Sequence, residues 1–200
     1  MDYAEPVSLV GKYASLVPLS SSHHDGLSEA VQDGELWNLW YTSIPTPDGI
    51  KKEINRRLDL QRLGLMNPFC VLDSNQKPIG MTSFMNIDQQ NFRLEIGSTW
   101  YRHSAQKTAI NTECKLMLLR HAFGKLKCIA VEFRTHFFNL ESRRAIERIG
   151  AKLDGILRHH QINYHPNAKE SLRDTCVYSI VASEFPAVEV HLIHLLRRSG

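Results

Sequence analysis

The residues with the clearest chemical use lie between a strand-like run, RLEIGSTWY (Arg93 to Tyr101), and a long helical run that ends near Leu126. The loop between them, QKTAIN, offers the amide of Gln106, the cation of Lys107, the hydroxyl of Thr108 and the amide of Asn111. A helix start leaves several backbone N–H groups unpaired and carries a partial positive charge, so a cationic loop that opens a helix can seat a phosphate. The loop has no glycine, and by spacing alone it fits an ordinary strand–helix connection as well. Trp37 and Trp40 in ELWNLWY bring large apolar area, suited to packing or to the walls of a substrate site. The pairs His23–His24 and His159–His160 lack a third ligand at a recognisable spacing. Cys70, Cys114, Cys128 and Cys176 stand alone without a CxxC pair, so no metal is expected.

A frame of alternating elements must position these groups. Val7 to Pro18 reads as a first strand, Ser21 or Ser22 as the cap of a short helix through Val31, and Asp48 as the N-cap of a helix carrying Ile50, Ile54, Leu58 and Leu65. Pro68 to Asp73 and Pro78 to Ile87 read as strands joined by the turn SNQK. Arg93 to Tyr101 alternates, with Leu94, Ile96, Ser98 and Trp100 on one face and Glu95, Gly97, Thr99 and Tyr101 on the other. The helix after the loop is expected to be amphipathic, with Leu116, Leu119, Phe123 and Leu126 in one stripe. A strand from Cys128 to His136 follows. Asn139 caps a helix that ends at Gly150, and two strands, about Lys152 to Asn163 and Leu172 to Ala182, flank the turn YHPNAKES. The tail PAVEVHLIHLLRRSG reads as a last helix. With no repeat or linker, this order predicts one α/β domain over residues 1–200. The helical connections favour a mixed sheet over a fully parallel one.

Two hundred residues suffice to bury a sizeable core. A net charge of +3 with both signs interspersed is too mild a bias to argue for nucleic acid or a membrane surface. Isolated cysteines suit buried positions in a reducing compartment. There is no apolar run for a leader or a span, so a cytoplasmic protein is the expectation.

The series RLEIGSTWY, QKTAINTECKLMLLRHAF, VEFRTHFFNLESRRAIERIGA and RDTCVYSIVASEFP resembles the GNAT acetyltransferases, and within them the Rim-type branch, named for enzymes that acetylate the N-terminal amine of ribosomal proteins. The resemblance runs from about Leu9 to Pro186, with residues 187–200 as a C-terminal tail or helix. It implies a splayed, mixed and mostly antiparallel sheet of about seven strands flanked by helices, with acetyl-CoA wedged between the fourth and fifth strands. It also implies an acyl-CoA N-acyltransferase. The family's loop carries glycines where this chain has Ala109 and Asn111, and close relatives often have one at Lys107. Alanine is tolerable there only while φ stays negative. Many relatives place a catalytic tyrosine where Ile146 stands, so that role must fall elsewhere.

On that resemblance the pantetheine arm pairs with backbone groups of Thr99, Trp100 and Tyr101, helped by the amide of Asn139. The phosphates are held by Gln106, Lys107, Thr108, Ala109, Ile110, Asn111 and Thr112. Glu95, mid-strand beside the opening, is the candidate base. Ser142 carries over from the branch as the proton donor to the departing thiolate. Trp37 and Trp40 are candidate substrate walls. The expected reaction is direct attack by a primary amine, since no cysteine has a credible neighbouring base. Cys114, early in the cofactor helix, is read as buried rather than nucleophilic. The acceptor is left open between a protein N-terminus and a small amine, including an antibiotic, and the assembly between monomer and homodimer. A non-catalytic acyl-CoA-binding regulator on the same fold is the alternative.

Overall fold

The computed structural model describes residues 2–168 and 171–198. Its strands are β1 (Leu9–Val10), β2 (Ala14–Pro18), β3 (Met66–Asp73), β4 (Pro78–Asp88), β5 (Arg93–Tyr101), β6 (Ala130–His136), β7 (Lys152–Ile162) and β8 (Leu172–Val181). Its helices are α1 (His24–Gln32), α2 (Ile50–Arg62), α3 (Ala109–Arg120), α4 (Leu140–Arg148) and α5 (Phe185–Arg198). The eight strands form one sheet in the order β1-β2-β3-β4-β5-β6-β8-β7, one strand more than expected. The difference arises in the first segment, where residues 11–13 turn the chain and split a single expected strand into an antiparallel pair. The tail is helical as expected and starts slightly earlier; Ser199 and Gly200, and Lys169 and Glu170 of the YHPNAKES turn, lie outside the described residues.

Apolar side chains fill both faces of the sheet. One cluster joins Phe69, Val71, Phe84, Leu94, Ile96 and Val131 to residues of α3, α4 and α5. The other joins Cys70, Leu72, Met81 and Trp100 to α1 and α2. The helix α3 departs from the amphipathic expectation. Eight of its twelve residues are buried, polar Thr112, Glu113 and Lys115 among them, because the sheet lies on one side and α5 on the other. Glu113 is satisfied there by the N–H groups of Lys12, Tyr13 and Ala14 at 2.7–2.9 Å, which locks the β1–β2 turn onto α3. Its last turn loosens into a π-helical stretch, His121–Lys125. All four cysteines are free and buried. Asp48 does not cap α2; it sits inside a preceding turn whose cap is Thr46.

Among the described residues only β5 and β6 run parallel, and their pairing covers three residues, Arg93–Glu95 against Ala130–Glu132. Beyond it β5 continues along β4 and β6 along β8. A bulge marks the parting. Met81 faces Trp100 and Ser83 faces Gly97, so β5 holds one residue more than β4 there, and Ser98 takes φ 47°. The extra residue corrects the expected alternation. Tyr101 joins the face of Leu94 and Ile96, whereas Trp100 turns to α1 and α2. Beside the bulge, a β-carbon at Gly80 would lie 2.1 Å from the Trp100 carbonyl oxygen. Replacing Gly80 with alanine should therefore destabilise the protein by about 1–3 kcal/mol, since the clash is with backbone. Gly124→Ala, where an added methyl meets nothing within 4 Å, should stay within about 0.5 kcal/mol of the parent in denaturant titrations.

Candidate active site

Two buried cations clasp the bulge from opposite faces. From α2, Arg57 donates from Nη2 to the Ser98 carbonyl at 2.8 Å and from Nη1 to Ser83 Oγ at 3.1 Å, while its Nε is paired with Glu53 at 2.7 Å. From α3, Lys115 Nζ donates to Thr99 Oγ1 at 3.1 Å, and that hydroxyl is hydrogen-bonded to Thr82 Oγ1 at 2.7 Å. Lys115 has no carboxylate within ion-pairing distance among the described residues, and burial pushes its pKa down to about 8. Thr99 is thus fixed in place by its side chain as well as by its strand.

The loop reaches α3 through residues with distinct local roles. Gln106 donates its amide to the Tyr101 carbonyl at 3.1 Å, tying the loop to the end of β5. Lys107 takes φ 59°, so the position that favours glycine is 107; Ala109 and Asn111 lie within α3 with negative φ. Thr108 is the N-cap, accepting the Ile110 N–H at 3.3 Å and donating to the Ala105 carbonyl at 2.7 Å. Ile110 packs against the larger core cluster, and Thr112 is buried, accepting from Arg148 at 3.3 Å. Lys107 Nζ lies 3.4 Å from Glu141 in the first turn of α4, an exposed pair. The starts of α3 and α4 therefore stand side by side, linked by contacts from both ends of α4.

The α4 start follows from Asn139, whose Oδ1 accepts the Ser142 N–H at 3.0 Å. Ser142 is the third residue of the helix, half-buried, and its hydroxyl makes no hydrogen bond among the described residues. Ile146 is core, so the position carries no proton donor. Arg143 turns inward to the Tyr178 hydroxyl at 3.1 Å and the Phe137 carbonyl at 3.2 Å.

On the sheet face opposite α3, Glu95 sits at the foot of the opening, 5% exposed. Asn86 donates to Glu95 Oε2 at 2.7 Å and Arg134 lies 3.5 Å away. Burial outweighs both and raises the carboxyl pKa, which brings it nearer the range a general base needs. Asn86 reaches Glu95 because β4 carries its own extra residue between Met85 and Asp88, and Asn86 takes φ 46° there, a conformation asparagine tolerates. Further along the same face, His136 ends β6 beneath Trp40, their rings edge to face with centroids 5.1 Å apart; Tyr41 and Phe138 complete the aromatic group. The two tryptophans thus separate. Trp40 roofs this face, whereas Trp37 packs against the α1–α2 cluster. Cys114 is fully buried and its thiol is pushed up to about 12, which leaves no thiolate for attack. Asn86, Lys115, His136 and Arg134 escape a reading by spacing, since each acquires its contacts from another segment of the chain. An asparagine within the apolar strand run FMNID was the one visible signal. A concavity of about 590 Å³ at Asp2, Leu63, Gly64, Ile87 and Gln89 holds none of these groups. Among the described residues no three His, Cys, Asp or Glu side chains gather to hold a metal, and no helix is long and apolar enough to cross a membrane.

The sequence model of the acetyltransferase (GNAT) domain matches residues 15–152. Among solved structures, a GCN5-related N-acetyltransferase from Brucella melitensis superposes with a TM-score of 0.83 at 27% identity, covering 96% of this chain and 86% of that one. RimJ of Mycobacterium smegmatis, in complex with CoA-disulfide, superposes at 0.77 with 17% identity over 96% and 93% of the two chains. RimL, a ribosomal alpha-N-protein acetyltransferase, superposes at 0.76 with 18% identity over 88% and 94%. At these last two identities the likeness is one of fold. No curated protein matches by sequence.

Lys115 supplies a test of the clasp. Its folded pKa of about 8 lies below the ordinary 10.5, so the folded state binds fewer protons between those values. Stability should then rise with pH across that window, the full penalty applying below about pH 8. Lys115→Met is expected to raise stability at pH 7 by up to roughly 3 kcal/mol. The gain should vanish above about pH 10.5, as followed by denaturant midpoints across the range. A variant no more stable than the parent at pH 7 would show that the lysine is better solvated than its burial implies.

Proposed function

The chain belongs to the GNAT acetyltransferases, and from that premise we propose that it transfers an acetyl group from acetyl-CoA to a primary amine by direct attack. The observation that carries this reading is the opening between β5 and β6, with the buried Glu95 carboxyl at its foot and two helix starts at its mouth. The residues present suit the nucleotide: Lys107 and the α3 start offer a cation and backbone donors, and no positive φ is demanded of Ala109 or Asn111. Thr99, Trp100 and Tyr101 supply a strand with no β6 partner among the described residues, against which an extended arm can pair, and the amide of Asn139, three residues past the end of β6, is assigned to the same arm.

In this reading the amine nitrogen forms a bond to the acetyl carbon as the carbon–sulfur bond breaks and coenzyme A leaves as a thiolate. Glu95 takes the proton the nitrogen sheds, directly or through water, and the Ser142 hydroxyl gives one to the thiolate. An α-amine, with a reference pKa near 8 against about 10.4 for lysine, asks less of such a base, which favours a protein N-terminus or a small α-amine as acceptor. Trp40, over the Glu95 face, is the substrate wall in this scheme, and Trp37 is left to core packing.

Acetyl-CoA at a hundredfold excess over its Kd should stabilise the protein by about 2.7 kcal/mol, seen as a rise in Tm; no rise and no heat in calorimetry would sink the reading. With a competent acceptor, Glu95→Gln should lower turnover most at low pH, where little of the amine is already neutral. Ser142→Ala should lower it at every pH while leaving acetyl-CoA affinity nearly intact. Each defect is expected at about 10²–10⁴-fold in kcat. Tight binding without release of free coenzyme A for any amine would instead mark a non-catalytic binder.

A further inference from the structure

We propose that the acceptor carries a carboxylate close to its amine, and that Arg173 and His136 form the subsite that holds it beside Glu95. The proposal rests on the acetyl-transfer reading above and names its substrate class.

His136 is 3% exposed, and its Nδ1 accepts the Phe138 N–H at 3.1 Å. In the neutral ring the proton must then sit on Nε2. That nitrogen is buried and has no hydrogen-bond partner among the described residues. The edge-on ring of Trp40 offers at most a weak N–H···π contact, so a strong donor is held ready at the end of β6. Burial, aided by the charge of Arg173, pushes the His136 pKa down and keeps the ring neutral, and the Phe138 N–H on Nδ1 fixes its tautomer.

Arg173 lies on β8, two residues before Thr175, the cross-strand partner of His136. Its Nε donates to Thr175 Oγ1 at 3.1 Å, which folds the side chain back along the sheet toward His136 and Glu95. Neither terminal nitrogen of its guanidinium has a partner among the described residues. The other two arginines borne by the strands of this face are committed, Arg93 and Arg134 each lying 2.8 Å from Glu132, and Arg57 of α2 is paired with Glu53. With Arg57 so balanced, the three strand-borne guanidinium groups of Arg93, Arg134 and Arg173 face two carboxylates, Glu95 and Glu132, leaving one positive charge in surplus.

That surplus selects. A simple ammonium ion would be repelled, whereas an amine with a carboxylate enters without net charge. A free guanidinium edge matches the two oxygens of a carboxylate, and the His136 Nε2–H can donate to a remaining lone pair. The same positive field lowers the pKa of the bound amine and eases its deprotonation by Glu95.

The test is a set of paired acceptors given to the intact protein with acetyl-CoA: free amino acids against their C-terminal amides, and short peptides with Asp against Asn at the first or second residue. The arms separate an α-carboxylate from a side-chain carboxylate. In at least one pair the carboxylate member should be preferred by about tenfold or more in kcat/KM, mainly through KM. Arg173→Gln should erase that ratio and Arg173→Lys should keep part of it. A general folding defect would not move a ratio measured within one variant. Equal use of both members of every pair, or a preference that persists in Arg173→Gln, would overturn the carboxylate subsite alone. Absence of turnover with every amine would overturn the acetyl-transfer reading and the subsite with it.

Discussion

The bulge at Ser98 is the constraint on which the rest of this structure depends. One extra residue in β5 ends its alignment with β6 at the Glu95–Glu132 rung, turns Tyr101 toward α3 and leaves the C-terminal half of the strand without a parallel neighbour. A bulge exposes backbone groups that need partners, and Arg57 takes the Ser98 carbonyl, while a second cation, Lys115, holds the neighbouring Thr99 by its side-chain hydroxyl. The two differ in how their burial is tolerated. An arginine cannot shed its proton, so Arg57 is accompanied by Glu53; a lysine can, and Lys115 is buried without a carboxylate. The opening is therefore held by two helices that belong to opposite faces of the sheet.

Glu95 and Glu132 occupy the same rung of that short parallel pairing yet are driven apart in acidity. For Glu132 the upward push of burial is overcome by Arg93 and Arg134, and its carboxyl stays below the ordinary range. Glu95 is more deeply buried, bonded to a neutral amide and only grazed by Arg134, and its pKa rises. A pair of carboxylates split in this way divides labour: one remains a fixed charge that organises arginines, and the other can take a proton. The split depends on Asn86 standing where a second arginine would otherwise be needed, and so on the extra residue in β4.

Much of this frame was legible from residue types. The alternation from Arg93 to Gly97, the cap at Asn139 and the stop at Gly150, which takes φ 95°, all express local preferences that the structure obeys. Illegible were the features created by distant contacts. Alternation continues past Ser98 in the sequence, because the bulge is set by Gly80, Arg57 and Lys115 rather than by β5 itself. A lysine in a helix reads as surface, whereas Lys115 points into the sheet, onto Thr99 of β5, and is buried there. Arg173 and His136 lie far apart in the chain and meet through the antiparallel register of β6 and β8.

The absence of glycine from the loop before α3 has a similar explanation. Glycine is required where φ is positive, and in this loop that condition falls on Lys107 alone, one step from the helix cap. A lysine held there carries a modest conformational cost but points its ammonium group along the mouth of the opening, where it meets Glu141. Both ends of α4 are thereby referred to the α3 start: its first turn through Glu141 and its last through Arg148 on Thr112. The spacing between two positively polarised helix ends is set by side chains that also define the loop, which lets the loop do without the backbone freedom that glycine would bring.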